Sequence, residues 1–132
     1  MNNNPEFNQA LGGIYRDAVK NFNIRTTPKL VLNKDEKNAS KTLGRTAYYD
    51  PNNLTVTLYT TGRHPKDILR SFAHELIHHV QNERGDLKMG DASSPTYAQD
   101  DKHMRKMEKE AYLEGNLLLR DFEDNFKYES KK

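Results

Sequence analysis

Phe7, Leu11, Ile14, Ala18 and Phe22 follow one another at steps of four, three, four and four. That spacing puts them on one side of an α-helix and predicts a helix at the N-terminus, weakened locally by Gly12-Gly13. Thr26-Thr27-Pro28 breaks the pattern, Lys29-Leu30-Val31-Leu32 reads as a short buried strand, and the polar stretch from Asn33 to Lys41 reads as a loop. Thr46-Ala47-Tyr48-Tyr49 and Leu54 to Thr60 then flank Asp50-Pro51-Asn52-Asn53. In this turn Pro presets its own φ and Asn tolerates the left-handed region, which makes a hairpin. Leu54, Val56 and Leu58 alternate with Thr55, Thr57 and Tyr59, so one face of that arm is expected to pack and the other to be wetter.

Pro65 stands where a first-turn proline belongs and Gly85 where a terminating glycine belongs, bracketing a helix of about five turns. Its apolar side is Leu69, Phe72, Ala73, Leu76, Ile77 and Val80. Ser71, His74, Glu75, His78 and Gln81 occupy a different flank. A polar connection from Asp86 to Pro95 leads into a long helical pattern from about Tyr97 to Phe126, striped by Met104, Met107, Ala111, Leu118 and Phe122. The order of helix, three strands and two helices predicts an α+β fold. A small sheet sits above two crossing helices, and the N-terminal helix backs the sheet.

Composition narrows this further. The 132 residues suffice for one ordinary domain, so residues 1 to 132 are read as a single unit. Only 34% of them are hydrophobic. The core is therefore expected to be thin, and a bound metal would add to folding stability. With 21 Lys plus Arg against 19 Asp plus Glu, the net charge of +2 gives no argument for nucleic acid. The absence of Cys removes disulfides, thiolate zinc ligands and cysteine nucleophiles together. MNNNPEFNQ lacks the basic and apolar regions of an export signal, and no apolar run approaches roughly 18 residues. The expectation is a cytoplasmic protein with no membrane partner.

Three of the five histidines lie in Ser71-Phe72-Ala73-His74-Glu75-Leu76-Ile77-His78-His79-Val80-Gln81. Within it His74-Glu75-Leu76-Ile77-His78 is H-E-x-x-H, whose histidines at i and i+4 project from the same side of a helix and can reach one ion. Zinc accepts imidazole nitrogen at about 2.0–2.1 Å, so two histidines and one carboxylate leave a place for water. Glu75 stands beside that place, fit to take the water's proton as general base. With five His and nine Glu, a random shuffle contains the pattern on the order of 0.01 times. His79 is rotated about 100° from His78 and is expected to pack or hydrogen-bond elsewhere. His64 is placed to cap the helix.

HELIH on a helix, with strands before it and Met107-Glu108-Lys109-Glu110-Ala111-Tyr112 on a helix after it, resembles the zincin metallopeptidases of the gluzincin type over residues 46 to 122. GRTAYYDPNN, RHPKDILRSFAHELIHH and EKEAYLEGN are also similar to small, uncharacterised peptidase-like proteins of marine bacteriophages. For such a protein the host cytoplasm is the expected compartment. The resemblance implies a minimal zincin-like domain, a Zn²⁺ cofactor, and a peptide or protein substrate aligned antiparallel to an edge strand, here Thr46 to Asp50. It also implies a third ligand, a Glu within E-x-x-A-D or E-x-x-A-N on the following helix. Glu108 to Ala111 match its first four positions. Tyr112 departs from the fifth, which in the family supports a ligand histidine, and leaves open what orients that histidine here.

Helical geometry favours the same ligand. Glu108 falls within the Met104, Ala111, Leu118, Phe122 stripe, and Gly115 two turns on lets another backbone come near. Glu110, the runner-up, is rotated about 200° from Glu108 and keeps company with Glu114 and Asp121 on what reads as the wetter side. Related peptidases place a Tyr or His where it stabilises the oxyanion, which makes Tyr97 a candidate, and His103 is a second one because it opens the long helix. The expected function is zinc-dependent peptide hydrolysis with Glu75 as base. The alternative is a zinc-binding interaction or regulatory module on the same scaffold without turnover, serving as a phage structural or host-takeover component. The sequence leaves substrate, cleavage preference and oligomeric state open.

Overall fold

The computed structural model describes residues 5–34, 46–87 and 97–130 of the chain. They form α1 (Pro5–Phe22), β1 (Lys29–Asn33), β2 (Ala47–Asp50), β3 (Thr55–Tyr59), α2 (Pro65–Glu83) and α3 (Tyr97–Ser130), an α+β arrangement. The polar stretches expected at 35–41 and 88–95 lie outside the described residues.

The hairpin turn forms around one carboxylate. Asp50 Oδ1 accepts from the Asn52 and Asn53 amides at 2.9 and 3.3 Å, and Asp50 Oδ2 accepts from the Asn53 side chain at 2.7 Å. The strand order is β1-β3-β2, with β2 antiparallel to β3 (Ala47 opposite Leu58) and β1 parallel to it (Leu30 opposite Val56). Because β3 is central, Val56, Thr57 and Leu58 are all buried, including the threonine that alternation had put on the wetter side. β1 departs the other way. As an edge strand it leaves Leu30 39% and Val31 43% exposed, so the buried strand expected there is not buried. A short apolar run does not distinguish the edge of a sheet from its middle.

α2 begins and ends by the chemistry of its flanks. His64 Nδ1 accepts from the Lys66 amide at 3.1 Å, and Pro65 takes the first helical position, where no donor is needed. Gly85, at φ 82°, lets its own amide reach Asn82 O at 3.0 Å and the Asp86 amide reach Gln81 O at 2.9 Å. These are the paired bonds of a Schellman ending. Between these ends the helix is covered on more than one side. Ile68, Phe72, Ala73, Leu76, Ile77 and Val80 are buried, and so are Glu75, His78 and Gln81 from the flank read as polar, together with His79.

The cause is position: α2 packs against β2 and β3 as well as against α1 and α3. α1 does not lie flush on the sheet as expected. It docks on α2 and α3, and a cavity of about 340 Å³ lined by Leu11, Tyr15, Leu30, Val56 and Phe72 opens between it and the strands. α3 runs antiparallel to α2, since Gln81 bonds Met107 near one end while Lys66 pairs with Glu123 near the other. β2 runs alongside α2 in the same sense. Arg63 ties Thr46 O to Ser71 Oγ and Asp67 O, and Asn82 Nδ2 donates to Pro51 O at 3.1 Å. No helix among the described residues is long and apolar enough to cross a membrane.

Candidate metal centre

His74 and His78 follow one another by one turn on α2, with ring centroids 4.9 Å apart. Glu108 comes to both from α3. Its Oε1 lies 2.7 Å from His78 Nε2 and its Oε2 lies 3.3 Å from His74 Nε2. One ligand atom from each of the three residues falls within 4.8 Å of the others. Gly115 permits this approach, because a Cβ there would stand 3.0 Å from the His74 Cα and amide nitrogen. With hydrogen in that place the two helices come close enough for a side chain as short as Glu to bridge the histidines.

The electrostatics follow from this packing. Burial pulls the His78 imidazole down, but its bonds to Glu108 and Gln81 and the nearby carboxylates of Glu75 and Glu108 outweigh that and raise it above 6.5. Glu108 is held well below the usual carboxylate range by its bonds to His74 and His78. Burial pushes the Glu75 carboxyl above 4.5, against the attraction of the two histidines. Glu75 is thus a carboxylate with heightened affinity for a proton, next to a cluster of metal-ligand type.

The donor set suits zinc: two imidazole nitrogens and one carboxylate, presented from two packed helices with room beside them. The room is a cleft of about 490 Å³. Its floor is His74, Glu75, His78 and Glu108, and one wall is β2 with Thr46, Ala47, Tyr48 and Tyr49. Arg70, Ser71 and Asn116 line one end, and Pro51, Leu87 and Met104 line the other. Pairing of Thr46 with Tyr59, seen in the Tyr59 amide bond to Thr46 O at 3.1 Å, sets the alternation along β2. By that alternation the peptide groups of Ala47 and Tyr49 face outward from the sheet edge.

The other candidates are placed elsewhere. Glu110 accepts from Arg84 Nη2 at 2.6 Å and from Gln81 Nε2 at 2.8 Å. It is partly buried, whereas Glu108 is the exposed one, so the wetter side is the reverse of the one expected. His103 lies outside the cleft lining, with Nε2 2.6 Å from Asp86 O. A carbonyl only accepts, so that nitrogen is a donor securing α3 to the end of α2. The Tyr97 side chain lies outside the described residues. His79 is fully buried, with Nε2 2.8 Å from Thr26 O and Nδ1 2.6 Å from the Tyr49 hydroxyl, a clamp between α2, the approach to β1 and the hairpin.

Two residues emerge that sequence reasoning did not assign to the site. Tyr112 meets the His74 ring edge-on at 5.6 Å and lines the cleft. Gln81, three residues after His78, has its Oε1 2.8 Å from His78 Nδ1. The signal for it was present in the i, i+3 spacing of two polar residues on one helix flank. No family model matches this sequence, and neither the curated proteins nor the solved structures yield a match.

Proposed function

We propose that the chain is a zinc-dependent peptidase in which His74, His78 and Glu108 hold the metal and Glu75 is the general base. The observation that carries this reading is the convergence of the three ligand atoms within 4.8 Å on the floor of a cleft that also contains a buried carboxylate and an edge strand. A site built only to hold metal has no use for Glu75.

Zinc bound there would supply Lewis acidity, lowering the pKa of a water and polarising the scissile carbonyl. The chain's own residues do the rest. Glu75 takes the proton from the attacking water and delivers it to the leaving amine nitrogen as the C–N bond breaks. Its burial favours proton uptake in the first half of that cycle. The outward peptide groups of Ala47 and Tyr49 pair with an extended substrate, and antiparallel pairing is the more stable choice. Because β2 runs from Thr46 toward Pro51, an antiparallel peptide has its residues before the scissile bond at Pro51, Leu87 and Met104. Its residues after the bond lie at Ser71, Arg70 and Asn116. An apolar side chain suits the first end and a polar or acidic one the second.

The test is digestion of a broad peptide library by the zinc-loaded protein, read by mass spectrometry, with Glu75→Gln as comparison. Expected are defined cleavage sites for the wild type and a loss of about 10²-fold or more in Glu75→Gln, with zinc content equal in both. Equal zinc and no wild-type cleavage would transfer the protein to the class of non-catalytic zinc-binding modules.

A further inference from the structure

Gln81 is fully buried, and every polar atom of its side chain is engaged. Its Nε2 donates to Met107 O at 2.9 Å and to Glu110 Oε1 at 2.8 Å. The Met107 carbonyl accepts and does not donate, so the amide cannot be turned end for end. Arg84 Nη2 donates to the same Glu110 oxygen at 2.6 Å and holds that carboxylate in place. The Oε1 of Gln81 is therefore the atom presented to His78 Nδ1 at 2.8 Å, and an amide oxygen accepts only. His78 Nδ1 must carry a hydrogen. Without metal, Nε2 also faces an acceptor, Glu108 Oε1 at 2.7 Å, so both ring nitrogens donate; an ion bound at Nε2 takes the place of that hydrogen and leaves Nδ1–H on Gln81.

We infer that Gln81 is the positioning residue of the metal centre: its amide, aligned by Met107 O and by the Arg84–Glu110 pair, holds His78 in the Nδ1–H tautomer with Nε2 aimed at the ion. The inference rests on the zinc reading for its purpose and on the hydrogen bonds alone for its geometry. Tyr112 stands beside His74, so Gln81 supports the other ligand histidine, His78, and does so from within α2. Glu110, the runner-up ligand, acts behind Gln81 by fixing its amide. A metal-bound histidine whose second nitrogen is tied in this way is fixed in ring orientation and in basicity, and loss of such a partner typically weakens metal affinity by about 10–100-fold.

The test uses the full chain with ¹⁵N-labelled histidine, first metal-free as Glu108→Ala, which removes the acceptor at Nε2, at a pH where His78 is neutral, and then as wild type with Zn²⁺. Long-range ¹H–¹⁵N spectra identify the tautomer, and competition with a chromophoric chelator gives the affinity. His78 should be Nδ1–H in both, because Gln81 Oε1 is the acceptor left to the ring. Gln81→Leu should release the metal-free ring toward the Nε2–H form and weaken zinc by about 10–100-fold. Gln81→Glu sets two carboxylates against each other and should weaken zinc as well. The exchange Gln81→Glu with Glu110→Gln restores a donor opposite an acceptor between these two side chains, leaves Met107 O facing a carboxylate, and should recover part of the loss. That recovery separates positioning from a folding defect. An Nε2–H His78 in metal-free Glu108→Ala, or Gln81→Leu with wild-type affinity, would overturn the inference. Failure of the wild type to bind zinc would defeat the metal reading, while the metal-free spectra would still decide the role of Gln81.

Discussion

Gly115 on α3 lies against the backbone of His74 on α2 so closely that a Cβ would meet the His74 Cα at 3.0 Å. The ligand-bearing helices are therefore in register only while residue 115 has no side chain. Gly115→Ala should force them apart, costing about 1–3 kcal/mol as overpacking, and should carry Glu108 away from the histidines. Gly12→Ala is the control, since a Cβ there meets nothing within 4 Å, and in a helix it should stabilise by roughly 0.5–1 kcal/mol. Thermal melts and zinc competition on both variants check this. A Gly115→Ala protein with native affinity would show that the close approach is incidental to the site.

The third ligand separates two neighbouring glutamates. Glu108→Ala should lose most zinc affinity because it removes a ligand atom. Glu110→Ala removes only a partner of Gln81 and Arg84 and should cost roughly tenfold or less. The reverse ranking in a chelator titration would mean that α3 presents a different face from the one described.

The pH dependence should differ in sign between the metal-free and zinc-bound protein. Without metal, His78 is raised above 6.5, so its contribution to stability is present below 6.5 and disappears as pH climbs through the raised value. Glu108 is lowered from 4.5, so its contribution is present above 4.5 and disappears as pH falls through the lower value. Metal-free stability from this cluster is thus greatest between 4.5 and somewhat above 6.5. Zinc requires the His78 Nε2 lone pair, so binding expels a proton and strengthens as pH rises through the same raised value. The difference in melting temperature between zinc-loaded and chelated protein should widen from pH 6 to pH 8, measured by calorimetry. A constant difference over that range would rule out proton release from His78.

The local chemistry of this chain could be read without its fold. Helical spacing located α1, α2 and α3. Pro65 and Gly85 marked the ends of α2, and Asp50-Pro51-Asn52-Asn53 marked the hairpin. The i, i+4 relation of His74 and His78 followed from helical pitch alone, and so did the face shared by Glu108 and Gly115. Each of these depends on residues a few positions apart, where backbone geometry alone dictates the neighbours.

What depends on distant residues was decided by packing. Leu30 and Val31 are exposed because β1 took the edge of the sheet, and Thr57 is buried because β3 took the middle. Much of the flank of α2 that reads as polar was buried once sheet and helices closed on it. Burial there raises Glu75 and enforces partners for His78, His79 and Gln81. Glu110 reads as a solvent-facing alternative to Glu108, but it is drawn inward by Arg84 and Gln81. Periodicity reports which residues share a face of one helix. Whether that face meets water, a strand or another carboxylate depends on contacts between residues far apart in the chain, and only the folded arrangement specifies them.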